Sequence, residues 1–170
     1  MKKIIFILVF ILSFAGCSNA SEATGADVAV AYANDFSASA KAVFGENEAT
    51  VEIAKNPMSI SFFVKSPKEL EGLLAEVFDE HAKISYQGME QEIKKDNLPD
   101  GAVFLLLEEL FEDLGKGEDL VLSTKDGKVN VEEEDFFAVL SEEDLSLISA
   151  DFPKYKTSFE FSEFAFAPSE

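Results

Sequence analysis

Side chains suited to nucleophilic, acid–base or metal chemistry are scarce apart from carboxylates: one His, one Cys and 33 Asp or Glu among 170 residues. A catalytic nucleophile needs a base beside it. His81 stands in Asp79-Glu80-His81, at the end of a stretch that reads as a helix, where an imidazole can satisfy terminal carbonyls and neighbouring acids. Glu132-Glu133-Glu134-Asp135 and Glu142-Glu143-Asp144 lack the spaced oxygen ligands and turn glycine of a calcium loop. Zinc asks for more than one imidazole or a thiolate. No G-x-G-x-x-G, G-x-S-x-G or phosphate-loop pattern occurs. Paired carboxylates flanking a sugar cleft are compatible with so acidic a chain, but nothing singles out a pair. The expectation is a protein that is not an enzyme and holds no cofactor and no metal.

The cysteine has a different use. Lys2 and Lys3 precede an apolar run over residues 4–14, and Ala15-Gly16 leads into Cys17. Charge, short apolar core and small cleavage-site residues make a secretory leader, and the run falls short of the ~20 residues of a spanning helix. Phe14-Ala15-Gly16-Cys17 resembles the bacterial lipobox, with Phe14 where Leu is usual. That resemblance implies cleavage after residue 16 and a diacylglycerol thioether on Cys17. The expected location is a cell membrane, lipid-anchored at its extracytoplasmic face, or the outer membrane in a Gram-negative host. A lone Cys forms no internal disulfide.

Removing residues 1–16 leaves 154 residues, enough for one domain with a sizeable core. Two lysines leave with the leader, so 12 basic and 33 acidic side chains give 12 − 33 = −21, against −19 for the whole sequence. Such a surface repels nucleic acid and anionic headgroups. The expected membrane contact is therefore the acyl group on Cys17, not the protein surface.

These side chains need elements to place them. Residues 17–34 read as lipidated Cys, a small polar tether and a lead-in, of which 26–34 fits either a short helix or an extended strand. Period-two alternation begins at Asp35: Phe36, Ala38, Ala40, Ala42 and Phe44, then Val51 and Ile53, then Met58, Ile60, Phe62 and Val64. Ser66-Pro67-Lys68-Glu69 predicts a helix start, followed by Leu70, Leu73, Leu74, Val77 and Phe78 at helical spacing. Strand pattern resumes around Ile84 and Tyr86, and again past Gln87-Gly88 through Ile93. Asp100 then caps a second expected helix over residues 101–114, stopped by Gly115, with only Glu108, Glu109, Glu112 and Asp113 outward. The remainder reads as strands, with Asp126-Gly127 as a two-residue hairpin turn. In the last strand Phe159 and Phe161 differ in parity from Phe164 and Phe166. A bulge near Ser162-Glu163, or a strand apolar on both faces, accounts for that. The sum is about nine strands and two helices, an α+β domain over residues 35–166 with a large curved antiparallel sheet and helices on one side.

The most informative constellation is apolar. Of 17 Phe, three leave with the leader, and the other 14 run through the whole domain. They fit a phenylalanine-rich core, or a partly open apolar cavity roofed by helices. For the cavity, the candidate lining is Phe36, Ile60, Phe62, Leu73, Val77, Phe104, Leu107, Phe111, Phe137, Phe159 and Phe161.

Two further stretches carry a resemblance. Lys65-Ser66-Pro67-Lys68-Glu69-Leu70-Glu71-Gly72-Leu73 and Lys83-Ile84-Ser85-Tyr86-Gln87-Gly88-Met89-Glu90, in this order of elements, resemble the LolA-like and LolB-like lipoprotein-carrier fold. Within it they are most similar to the lipid-anchored, GerS-like variety of clostridia-like Gram-positive bacteria. The resemblance implies an unclosed β half-barrel with helices over its concave face. It implies binding of a lipid or lipoprotein acyl chain, or alternatively a regulatory, protein-binding envelope module on the same fold without a lipid ligand. Two departures stand out: this chain is expected to be tethered where soluble carriers diffuse, and it contains no Arg, so no Arg-dependent step transfers to it.

Overall fold

The computed structural model describes residues 23–167. The leader and Cys17, with the expectations placed on them, lie outside the described residues. Helix α1 (Gly25–Ala33) comes first, then strands β1 (Phe36–Phe44), β2 (Asn47–Asn56), β3 (Ser59–Ser66), β4 (Leu74–Val77), β5 (His81–Tyr86) and β6 (Met89–Lys94). Helix α2 (Val103–Lys116) follows, then β7 (Val121–Lys125), β8 (Lys128–Glu132), β9 (Phe137–Ser141), β10 (Leu147–Phe152) and β11 (Thr157–Phe166). All eleven strands form one open antiparallel sheet in the order β6-β5-β4-β3-β2-β1-β11-β10-β9-β8-β7. This is the expected α+β half-barrel, with eleven strands where the sequence suggested about nine.

Topology explains the position of α2. Two meanders meet at the β1–β11 pair in mid-sheet. The chain leaves one outer strand, β6, and re-enters at the other, β7, so the connection must cross the whole sheet. Flat, eleven strands would span about 48 Å, whereas 14 helical residues cover about 21 Å. The sheet curls, and α2 lies in its concavity. Leu106, Leu107, Leu110, Phe111 and Leu114 are buried there. Among the described residues no helix is long and apolar enough to cross a membrane.

The convex face is polar and laced by cross-strand ion pairs: Lys41–Glu48 at 3.0 Å, Lys65–Glu52 at 2.8 Å and Lys83–Glu90 at 2.9 Å. Exposed pairs of this kind add little stability, but they fix which face of each strand meets water. Of the two-residue hairpins, those at Gln87-Gly88 and Asp126-Gly127 follow from residue pairs that both accept positive φ.

Three sequence expectations need correction. Residues 66–78 form no helix. Ser66 caps nothing helical; its Oγ accepts the Thr50 N–H at 3.2 Å, where the β2–β3 register shifts. The Ser66–Pro67 bond is cis, and Gly72 turns the chain at φ +86°, so that Leu73 and Gly72 return to the Val64 backbone at 2.9 Å. Leu74–Val77 then pairs with β3, because without it the long apolar strand β3 would be an unpaired edge. Ala75 and Val77 face inward as a strand pair, a pattern indistinguishable from helical spacing over so short a run.

The first helix is instead α1, in the stretch where helix and extended lead-in both fitted. Thr24 and Asp27 form a reciprocal capping box: the Thr24 Oγ1 accepts the Asp27 N–H at 3.3 Å, and the Asp27 carboxylate accepts the Thr24 N–H at 2.9 Å. Val28 and Tyr32 are buried, so this helix belongs to the packed unit.

The second helix starts two residues later than expected, without a side-chain cap from Asp100, and passes through Gly115. It stops at Gly117, which sits at φ +62°. Gly117 is also where α1 crosses, against Gly25. A Cβ on either glycine would overlap the other's carbonyl oxygen.

Candidate functional site

The concave face divides into two parts along α2. Under the C-terminal half of the helix the space is filled. Tyr32 from α1, Phe36 from β1, Phe111 from α2 and Phe164 and Phe166 from β11 form one aromatic cluster. Phe36 lies 4.7 Å from Phe111 and 4.9 Å from Phe164, and Tyr32 lies 5.3 Å from Phe166. Edge-to-face and offset contacts at such distances add to the gain from burial. Phe161, Phe159, Phe152 and Phe136 extend the cluster beneath β9–β11.

A bulge makes that packing possible. The β1–β11 register slips between Ser37/Ser39 and Ala165/Ser162, with Glu163 at φ +53°. The two parities of the last strand are thereby turned to one side, as the bulge reading expected. The Tyr32 hydroxyl donates to the Leu145 carbonyl at 3.1 Å. Burial, with Asp144 nearby, pushes its pKa well above the ordinary tyrosine value. Lys55 reaches from β2 to cap the end of α1, donating to the carbonyls of Tyr32 at 2.8 Å and Asn34 at 3.2 Å. Burial lowers its pKa, against the pull of Asp35.

Under the N-terminal half of α2 the face is open. A cavity of about 140 Å³ lies between β1–β4, residues 70–73 and the first turns of the helix, and every residue lining it is apolar. Its floor is deep: Ala42 is fully buried, Ala75 is 2% exposed and Phe62 3%, and Leu107 above them on α2 is fully buried too. Its rim is half-open: Phe44, Leu73, Val103 and Phe104 are partly buried, and Leu70 is 39% exposed. Val51, Val64 and Ala49 complete the wall.

The roof is held by an ion pair that the sequence reading missed. Glu108, expected to face outward, is buried and pairs with Lys95, from the 3-10 turn after β6. Burial raises the Glu108 pKa, Lys95 opposes this, and Glu112 and Asp79 add to the rise.

The sequence candidates fall on both sides of this division. Phe62, Leu73, Phe104 and Leu107 line the cavity. Ile60 and Val77 are buried in the same half behind its wall. Phe36, Phe111, Phe159 and Phe161 belong to the aromatic cluster. Phe137 is misplaced: it is 45% exposed and shares the outward parity of β9, while Ala138 and Leu140 point inward. Its neighbour Phe136 is the buried one, turned in where the Glu133 N–H meets the Phe136 carbonyl at 3.0 Å. The lining residues missed are Ala42, Ala49 and Ala75, then Val51, Val64 and Val103, and at the rim Phe44 and Leu70. Strand parity already placed Ala42 with Phe36, but alanine carries no apolar signal of its own.

The titratable residues converge on nothing comparable. His81 opens β5, stacks 4.8 Å from Phe78 and sits 3.7 Å from Glu92. Among the described residues no three His, Cys, Asp or Glu are grouped to hold a metal ion.

No protein-family model matches the sequence, and no curated protein matches it. Solved structures do. An uncharacterized conserved protein from Thermus thermophilus is similar at 12% identity and TM-score 0.55, over 84% of this chain and 85% of that one. A LolA superfamily protein from Nitrosomonas europaea aligns at 7% identity and TM-score 0.41, covering 87% of this chain and 96% of that one. The structure of MucB in complex with MucA aligns at 14% identity and TM-score 0.45, over 86% of this chain and 57% of that one. The Thermus likeness establishes a shared fold, and fold does not carry function.

Proposed function

We propose that this chain is a non-enzymatic lipoprotein of the cell envelope. In this reading lipid on Cys17 holds it at an extracytoplasmic membrane face, and its LolA-like half-barrel, of the GerS-like anchored variety, receives an apolar group. The ligand class is the acyl chain of a lipid or lipoprotein. One observation supports this above others: a half-open cavity with an entirely apolar lining, beside an aromatic cluster that occupies the other part of the concave face. A water molecule needs two to four polar partners, and this lining has none to give. Filling it with an apolar group is therefore favourable.

The test is direct. Mass spectrometry of gently purified protein should show a co-purifying lipid, and protein stripped of lipid should take up a fluorescent fatty acid. A clean apo protein that also refuses the fatty acid sinks the reading. Anchoring is tested separately, since Cys17→Ser should release the protein from membranes.

The alternative is a protein-binding module on the same fold. The self-filled aromatic half favours it, because half of the concave face offers a ligand no room. Crosslinking from intact membranes should then recover one dominant envelope partner.

A further inference from the structure

We infer that the apolar ligand enters the cavity end-on, terminal methyl group first, and that Ala42, Ala49 and Ala75 set how deep it goes. This rests on the acyl-binding reading above and specifies which part of the chain is held.

Size is the first argument. About 140 Å³ is close to the roughly 150 Å³ of a dry apolar cavity that holds one benzene. It is well below the roughly 300–1,000 Å³ of a site that encloses a drug-sized ligand. Only the last few carbons of an acyl chain fit. Direction is the second argument. Burial rises from the exposed Leu70 at the rim to Ala42 on the sheet floor and Leu107 on the helix roof, both fully buried, so the cavity runs from an open rim to a buried end. Nothing polar lines it. A carboxylate or ester pushed to the floor would lose its water with no replacement partner, whereas a methyl group loses nothing.

Depth comes from three missing side chains. Ala42 and Ala49 are direct cross-strand partners, and Ala75 stands opposite Phe62. On an inward lattice otherwise built of Val51, Phe62 and Val64, the alanines are the places where the floor drops. A larger residue at any of them would occupy the ligand's space.

Binding of hexadecanoic acid and of its ω-hydroxy derivative to the purified full chain tests this. The expected result is binding of hexadecanoic acid weakened roughly tenfold or more by the terminal hydroxyl, the cost of burying it without a partner. Ala75→Leu should weaken hexadecanoic acid by a similar factor. Ala75→Ser, which puts a hydroxyl on the floor, should narrow the gap between the two ligands. Equal affinities of the two ligands for the unmodified chain would overturn end-on entry and leave acyl binding standing. An Ala75→Leu protein that stays folded and binds hexadecanoic acid unchanged would overturn the depth assignment. Failure of both ligands to bind at all would overturn both readings.

Discussion

The two ends of the concave face are built from the same materials and finish differently. Both have an inward row of strand residues and both lie under α2. At one end α1 adds Tyr32 and Val28, β11 adds Phe164 and Phe166 through its bulge, and the rings meet one another. At the other end the helix roof meets a floor of three alanines, nothing is added, and a cavity stays open. An eleven-stranded sheet curled around one helix encloses more volume than that helix can fill. The filled end shows what closing the gap requires, a second helix and a re-aimed strand. The open end lacks both, which makes its emptiness a property of the architecture and not of one small residue.

The largest expected effect separates the ends by truncation. Phe111→Ala removes a ring with 1% exposure from the centre of the aromatic cluster and should cost about 3–5 kcal/mol of unfolding free energy. Phe104→Ala, at the rim of the cavity, removes a ring that is only partly buried and should cost about 2 kcal/mol. Urea denaturation of both variants measures the difference. Equal losses would mean that the two ends are packed alike.

Adding volume should reverse the order. Ala150 is fully buried opposite Phe159 in the filled end, so Ala150→Leu overpacks it and should destabilise by about 1–3 kcal/mol. Ala49→Val puts two methyl groups into the cavity and should raise stability by about 0.5–2 kcal/mol. The same variant should bind hexadecanoic acid less well, so stability and binding should move in opposite directions.

A smaller effect tests whether α1 is what closes the filled end. Thr24→Ala leaves every aromatic ring in place but deletes the capping hydroxyl, and should cost about 1 kcal/mol. Exchange protection of backbone amides in 25–34 should fall more than that in β2–β4. A uniform loss across the sheet would detach α1 from the closure.

How legible this was in the sequence differs between the ends as well. The strands announced themselves through period-two alternation, and the β11 bulge followed from the parity clash between Phe161 and Phe164. The hairpin at Asp126-Gly127 was readable from its two residues. The helices were legible only in part: α2 stands within two residues of its expected bounds, whereas the helix expected over 66–78 is absent and α1 takes its place as the first helix. A Ser-Pro-x-Glu start with leucines at helical spacing read as the helix, while the capping box Thr24-Gly25-Ala26-Asp27, with Asp where Glu is usual, went unread. Only β3's need for a partner decides that Leu74–Val77 is a strand, and that is a tertiary demand. The cavity was partly legible: Phe62 and Phe104 stand out in a sequence, the alanines on its floor do not, and Phe44 and Leu70 join the rim only through the fold of β1 and the 66–73 turn. Nor does helical spacing show that one glutamate of α2, Glu108, is buried against Lys95.

That glutamate gives the finest test, because it lies on the helix segment that roofs the open end. Burial pushes the Glu108 carboxyl up, and the Lys95 ammonium only partly offsets it. The folded state therefore holds the Glu108 proton to higher pH than the unfolded state does. Between the ordinary carboxylate range and the raised value the folded protein binds more protons, so this group's contribution is complete below that window and is lost as pH rises through it. Burial raises Glu109 and Glu133 in the same direction, while other carboxylates act oppositely. Asp27 is lowered by its bonds to Thr24, so its stabilisation is lost as pH falls. The comparison must therefore be made between the native chain and Glu108→Gln, which removes one titration and keeps the shape. Urea midpoints of the two between about pH 4 and pH 7 should diverge, the native chain losing stability relative to the variant as pH rises. Acyl uptake should follow the same axis if loosening the Lys95–Glu108 contact frees the roof. Parallel pH profiles for the two proteins would place Glu108 in water and leave the roof of the open end held by apolar contacts alone.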